Sequence, residues 1–434
     1  MTYLAAAISS ARQRLCGGGG IAGNDEECQS ESRNMNIQLK LSIVRLDHSI
    51  AEIKNTSPGI DVGSLARAVF DHLSCTPATA EAASKKWLSY ASDTSCSSDL
   101  KEALIKKIMR FVKEPDRWTA FSSLLLKSIA FHRHIDPNMS VDVATTVLPV
   151  FDLPRTKFNR PFLPQTVAGN SSTRVTDEEV RESKESMMSI SHQFPYLCMI
   201  QKQSSDHTSS TQIPYDMLGC DLVIFEPRLN KYIPTISDFL QPFVGCFTSS
   251  EWKAINDDTS SCPRSDDSSV KEFYLRWAMK EAYTKALGVG LYVDYDSFEI
   301  RLIGHDVDSS DIEGDWKSRE SLWGSITTDL QQCNSKGRVE RQVSFVGQVL
   351  RTREPKSDAV QNGYWVFTFI PLVDGLVNNS IEAGETTTGG CICICKGPFD
   401  EEADAAASSS TIVIENLSLI ELIQMHGMKD VGRI

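Results

Sequence analysis

The sequence predicts a protein of mixed helices and strands, on three observations. Lys271–Gly290 has Phe273, Trp277, Tyr283 and Leu287 at helical spacing, with alanines between them. Asn36–Leu46 alternates Ile37, Leu39, Leu41 and Ile43 with polar neighbours, as a half-buried strand does. Short apolar runs at Val343–Leu350, Tyr364–Leu372 and around Cys391, Cys393 and Cys395 predict further strands.

Composition bounds the rest. At 434 residues the chain can build two packed domains. No apolar run approaches the ~20 residues that span a bilayer, so no membrane partner is expected. The net charge of −13 argues against general nucleic-acid binding. Twelve cysteines occur without a CxxC pair, which indicates neither a zinc ribbon nor a small disulfide framework. They are expected to be reduced thiols in a cytoplasmic protein. Residues 1–34 contain Arg12 and Arg14, no acid before Asp25 and four glycines at Gly17–Gly20. They are expected to form a disordered tail, with a mitochondrial or plastid targeting peptide as the other reading.

After the first strand, helices are expected near Val62–Leu73, Thr79–Tyr90 and Leu100–Val112. Trp118–Phe131 carries the solid apolar run Leu124–Leu126 and predicts a buried helix. Residues 101–160 hold eleven Lys and Arg against six Asp and Glu, a basic stretch in an acidic chain. A solvated face explains any charge run, but this concentration suggests an anionic ligand. The stretch ends in RTKFNRP, Arg155–Pro161. Thr166–Glu185 reads as a surface loop, Ser189–Gln193 as SISHQ, Tyr196–Ile200 as a strand and Gln201–Thr211 as a polar linker.

Leu218–Phe225, LGCDLVIF, is an apolar strand interrupted by Asp221. An acid in such a run is costly to bury without a partner, which makes Asp221 a candidate metal ligand. Ile233–Ile255 ends in FTSSEW, and Asn256–Ser269 reads as a polar insertion. In the helix that follows, Trp277, Glu281 and Lys285 are four apart and share a face. Alone, Glu281 and Lys285 read as a solvated pair worth a few tenths of a kcal/mol. Gly288 is placed to end the helix in a left-handed cap. A strand is expected at Tyr292–Ile303. Asp306–Asp315 lacks the ligand spacing of an EF-hand and reads as a solvated loop. The three alternating cysteines share one face of a strand rather than a tetrahedral site. Pro398–Ser410 is expected to be disordered, and Thr411–Met425 a short strand running into a helix.

Four segments together resemble the 4′-phosphopantetheinyl transferases. W-x-x-K-E-A-x-x-K followed by A-x-G-x-G matches the family's signature helix. SISHQ is similar to its N-I-S-H-Q element, with Ser189 in place of Asn. LGCD is similar to its V-G-I-D strand, and RTKFNRP to its R-x-x-x-G-K-P segment, with Asn159 and Arg160 where Gly and Lys are usual. The match is nearest to the surfactin-type branch and its animal aminoadipate-semialdehyde dehydrogenase group. It covers residues 36–303 well and the C-terminal third loosely.

The resemblance implies an α+β fold: a pseudo-twofold pair of halves, each an antiparallel sheet with a long helix, with the ligand in the cleft between them. It implies an N-terminal half at 35–212, a C-terminal half at 213–397, and a linker with a strand and helix at 398–434. It implies transfer of 4′-phosphopantetheine from coenzyme A to a serine of an apo carrier domain, with Mg²⁺. Asp221 and Glu281 would bind the metal, and Glu281 would also be the general base. Lys285 would neutralise the phosphate. Arg155, Arg160, Ser191, His192 and, more weakly anchored, Lys106 would hold coenzyme A. The carriers implied belong to fatty-acid synthase, polyketide or peptide synthetases, or an aminoadipate reductase, and a monomer is expected. Residue 223 is Val, where many bacterial members have a further acid, so two protein carboxylates on the metal are expected. The other reading is an inactive coenzyme A-binding scaffold of the same fold. No P-loop is present to suggest a different phosphotransferase.

Overall fold

The structure, a computed structural model, describes residues 37–74, 97–135, 188–202, 217–227, 229–256, 265–304, 321–335, 341–353, 360–372, 389–408 and 410–428. The expected helix at 79–90, the RTKFNRP segment, the surface loop at 166–185 and the acidic loop at 306–315 lie outside these residues.

Two sheets carry the fold. The first has the order β2 (Met188–Gln193), β3 (Tyr196–Lys202), β1 (Ile37–Arg45), β9 (Ser410–Ser418). The second has the order β4 (Met217–Ile224), β8 (Gly390–Phe399), β7 (Gly363–Leu372), β6 (Val343–Arg351), β5 (Phe298–Leu302) and is antiparallel throughout. The first sheet departs from the antiparallel expectation, because β9 pairs parallel to β1, Leu39 opposite Ile412. The C-terminal strand thus completes the sheet of the N-terminal segment.

Alternation along the strands builds three cores. Leu39, Leu41 and Ile43 of β1 meet Leu218, Cys220 and Leu222 of β4, with Ile392 and Ile394 of β8, between the sheets. On the outer face of the first sheet lie α1 (Leu46–Thr56), α2 (Val62–Ser74), α3 (Ser97–Met109), α4 (Glu114–Ile135) and the short C-terminal α10 (Leu419–Met425). Phe70 of α2 and Phe121 of α4 pack edge to face there, their centroids 6.3 Å apart. On the outer face of the second sheet lie α5 (Ile236–Leu240), α6 (Ser249–Asn256), α7 (Asp266–Leu287) and α8 (Leu322–Ser335). Cys391, Cys393 and Cys395 face this side as a packed row, as expected of one strand face. Among the described residues no helix is long and apolar enough to cross a membrane.

Several boundaries differ from expectation. The helix α1 was not expected, although Leu46, Ser49, Ile50 and Ile53 are buried along one face. The helix α7 starts at Asp266, capped by the Ser265 side chain, inside the supposed polar insertion; it ends at Gly288 with φ 74°, as expected. The strand expected at 292–303 begins only at Phe298, after two 3₁₀ turns at Gly290–Tyr292 and Tyr295–Ser297. The stretch expected to be disordered after Pro398 instead holds a helix, α9 (Glu402–Ala407), whose Ala405 is buried against the inter-sheet core.

Candidate active site

The site forms where β4 and α7 touch. Gly219 and Asp221 are two apart on β4 and share its α7-facing side. A Cβ at Gly219 would lie 2.0 Å from the carbonyl oxygen of Ala282 and 2.5 Å from the nitrogen of Ala286. Only glycine permits this approach. Ala278, Ala282 and Ala286 keep the facing side of the helix small and buried. The contact sets Asp221 against the helix face bearing Trp277, Glu281 and Lys285. All four line a cleft of about 490 Å³.

Lys285 Nζ donates to Asp221 Oδ1 at 2.6 Å and to Ser191 Oγ at 2.8 Å. Ser191 Oγ donates in turn to Asp221 Oδ1 at 2.7 Å. Burial, the largest single effect, would lower the pKa of Lys285, but the acidic groups around it, Asp221 first and Glu281 among them, together hold the ammonium above its usual range. Glu281 is pushed upward, first by burial and then by the charge of Asp221, against the opposing pull of Lys285. The Tyr295 phenol is itself raised by burial and by the charge of Glu281, so it stays protonated, its hydroxyl 3.3 Å from Thr284 Oγ1.

Ser191 also belongs to a seam. Ser189, Ser191 and Gln193 alternate along β2 and project toward β4. Ser189 Oγ accepts the N–H of Cys220 at 3.0 Å, Ser191 Oγ that of Leu222 at 3.2 Å, and Gln193 Oε1 that of Ile224 at 3.0 Å. Side chains of one sheet edge thereby satisfy the edge N–H groups of the other. The polar residues of SISHQ join the sheets as well as line the cleft. His192 stands open at the cleft rim. Its pKa is lowered by partial enclosure and by the positive charges of Lys285 and Lys127, so near neutral pH it offers ring hydrogen bonds rather than charge.

Asp221, Glu281, Lys285, Ser191 and His192, five of the candidates named from the sequence, are therefore gathered in one cleft. Lys106 is exposed on α3 and does not line it. Arg155 and Arg160 lie outside the described residues. Lys127, one turn from Ser123 on α4, lines the cleft and was not among those candidates. Its signal was a lone cation directly after the buried run Leu124–Leu126.

Asp221 and Glu281 fit a hard divalent cation that takes few protein carboxylates. Among the described residues no group of three or more His, Cys, Asp and Glu is arranged to hold a metal. Val223 lines the cleft on the same side as Asp221, as the strand period requires, while Glu226 is exposed and does not line it. Among the described residues, two carboxylates, Asp221 and Glu281, line the cleft.

Lys280, next to Glu281 in the motif, points away from the cleft. Its Nζ is fully buried, 2.8 Å from Glu251 Oε2 and donating to the carbonyls of Tyr295 at 2.6 Å and Phe298 at 2.8 Å. Burial pushes Glu251 up and Lys280 down, each opposed by the partner's charge. The FTSSEW segment contributes Glu251 to this pair, and Thr248 and Ile300 donate N–H groups to the same carboxylate.

The model of one protein family, the 4′-phosphopantetheinyl transferase superfamily, matches residues 217–331. This span runs from the start of β4 into α8 and carries Asp221, Glu251, Lys280, Glu281 and Lys285. No curated protein matches the chain.

Proposed function

We propose that this chain, which carries a 4′-phosphopantetheinyl transferase superfamily domain at residues 217–331, moves 4′-phosphopantetheine from coenzyme A to a serine of an apo carrier domain. The observation that carries the reading is the convergence of Asp221, Glu281 and Lys285 on one cleft whose rim bears His192 and Lys127. Two carboxylates, a fixed ammonium and a flanking lysine suit a phosphate leaving group and a phosphoryl centre.

In this mechanism Asp221 and Glu281 hold Mg²⁺, which when bound neutralises phosphate oxygens. Glu281 takes the proton of the carrier serine, directly or through water; its raised pKa suits a base working near neutral pH. The serine oxygen forms a bond to phosphorus, the phosphoanhydride bond breaks, and adenosine 3′,5′-bisphosphate leaves. Lys285, held charged by Asp221, faces the charge that builds on the phosphoryl oxygens. Ser191 keeps Asp221 and Lys285 in register. His192 and Lys127, with Arg155 and Arg160, contact the nucleotide. The proposed acceptors are acyl or peptidyl carriers of fatty-acid, polyketide or peptide synthesis or of aminoadipate reduction, and kinship to the surfactin-type branch rests on the motifs quoted above.

Intact-mass spectrometry of apo carriers of these classes, incubated with the protein, coenzyme A and Mg²⁺, tests the reading. A phosphopantetheine mass gain on the carrier serine is expected. No gain on any class, with coenzyme A intact, would overturn it.

A further inference from the structure

We infer that β9 is a docking edge for a second copy of this chain, the two β9 strands pairing antiparallel about a two-fold axis so that two four-stranded sheets become one. The inference does not depend on the function proposed above. Two sheets have four edges, and side chains close three of them. The edges of β2 and β4 meet, where Ser189, Ser191 and Gln193 accept the N–H groups of Cys220, Leu222 and Ile224. At the edge of β5, Lys280 donates to the carbonyl of Phe298 at 2.8 Å and Glu251 accepts the N–H of Ile300 at 3.3 Å. The fourth edge is β9, outermost in the order β2-β3-β1-β9. Among the described residues no strand pairs with its outer side, and from Ile412 to Asn416 no side chain bonds its backbone groups. Such an edge is a template for another strand.

The strand carries none of the devices that keep an edge single. All nine of its residues stay in register with β1, from Ile37 opposite Ser410 to Arg45 opposite Ser418, so no bulge bends it away. Its sequence, STIVIENLS, has no proline and no lysine. Its one charge is already neutralised: Glu415 accepts two hydrogen bonds of 2.9 Å from Arg133 and lies 3.3 Å from Lys40 Nζ. Ile412 and Ile414 pack against the inter-sheet core but are only half-buried. Val413, on the other face, is 36% exposed. Apolar surface is thus left uncovered on both faces of the open edge. A two-fold axis perpendicular to the sheet keeps each face on its own side, so opposite residues must share a face. With the axis at Val413, that residue meets its own copy, Ile412 meets Ile414 of the partner subunit, and Thr411 meets Glu415 of the partner subunit. Moving the axis by one residue sets Val413 against Thr411 or Glu415 of the partner subunit instead. The first register pairs apolar with apolar and places no like charges opposite each other. The edge lies across the first sheet from β2, so the cleft stays clear of the contact. One strand pair is small beside the ~1,200–2,000 Å² of a standard interface, so the dimer should form and dissociate with concentration. The motif resemblance implies a monomer; the open edge argues for this reversible dimer.

Sedimentation velocity of the full-length chain from ~1 to ~200 µM, with hydrogen exchange of peptides covering 410–418 at both ends of that range, tests it. Expected is a shift from one chain to two as concentration rises, with exchange at 410–418 slowing in step. Val413→Lys sets two ammonium groups opposite each other at the axis. It should weaken dimerisation at least ~10-fold, while the thermal midpoint at low concentration stays that of the wild type. Sedimentation as one chain throughout overturns the inference; slow exchange at 410–418 would then assign the edge to another part of the same chain, and fast exchange would leave it bare. A dimer without slowing at 410–418 overturns it too, as does growth past two chains. So does a Val413→Lys protein that dimerises like the wild type. Where that variant does not fold, the exchange difference in the wild type decides alone.

Discussion

Ser191 donates a hydrogen bond of 2.7 Å to Asp221 from the opposite sheet, and the same hydroxyl receives Lys285 Nζ and the Leu222 N–H. A serine in this position ties the two sheets and the two charges together. Ser191→Ala is expected to destabilise the protein by ~1.5–3 kcal/mol, the scale of hydrogen bonds to charged groups. It should lower kcat while leaving KM for coenzyme A nearly unchanged. Urea unfolding and steady-state kinetics check the two halves; a raised KM with unchanged kcat would assign the hydroxyl to the nucleotide instead.

Glu281→Gln should abolish transfer while coenzyme A still binds. The wild-type kcat/KM should also fall on the acid side at a pH above the ordinary carboxylate range. The sign follows from the raised pKa: a base must be ionised, so activity is lost as pH drops through that raised value. Rate profiles and calorimetric titration with coenzyme A give both readouts. Wild-type turnover by the Gln variant would sink the assignment.

His192→Ala and Arg160→Ala should weaken coenzyme A binding by ~1.5–3 kcal/mol each. The Arg160 contribution should shrink as salt rises, because the contact proposed for it is with phosphate. Coenzyme A binding should also raise the depressed pKa of His192, since the phosphates offset Lys285 and Lys127. Titrations at two ionic strengths and histidine NMR measure these; an affinity equal to wild type removes that residue from the nucleotide site.

Val223→Glu should tighten Mg²⁺ binding by adding a third carboxylate on the cleft side of β4, whereas Glu226→Ala should leave it unchanged. Calorimetry with Mg²⁺ in the presence of coenzyme A compares them. Loss of metal-dependent transfer in Glu226→Ala as complete as in Asp221→Ala would refute the two-carboxylate arrangement.

Gly219→Ala should be far more damaging than a methyl group suggests. Its Cβ meets the backbone of α7 rather than a movable side chain. A cost at or above the top of the ~1–3 kcal/mol range for overpacking is expected, with loss of transfer as Asp221 and Glu281 separate. Thermal unfolding with activity assays checks it, and a stable, fully active variant would contradict the packing described.

What could be read beforehand was local. The apolar pattern of α7, the alternation of β1, the cysteine row of β8 and the lone acid in β4 each follow from the chemistry of a few neighbouring residues. Asp221, Glu281 and Lys285 sit inside two of those patterns, but Ser191 and His192 stand out only through the resemblance of SISHQ to a family element, and resemblance also supplied the roles of Glu281 and Lys285. Lys127 did not stand out, since it follows a run of buried leucines. Its relation to the cleft is set by how α4 docks. The role of Lys280 was hidden for the same reason: its partner, Glu251, belongs to another helix. The helix α1 was in principle legible from Leu46, Ile50 and Ile53. The helix α9 was masked by its low-complexity composition, because only its buried Ala405 distinguishes it from a solvated stretch.

The parallel pairing of β1 with β9 also bears on how the chain folds as it is made. Leu39 must find Ile412, while β3, its other neighbour, is far nearer in sequence. Pairings so distant along the chain form slowly, since loop closure precedes any contact gain. During synthesis β1 can meet its antiparallel neighbour β3 earlier, but its other side keeps its backbone donors and acceptors unpaired until residues 410–418 have left the ribosome. An exposed strand edge is a template for other chains. The nascent protein therefore passes through an adhesive stage that ends only when its last strand arrives.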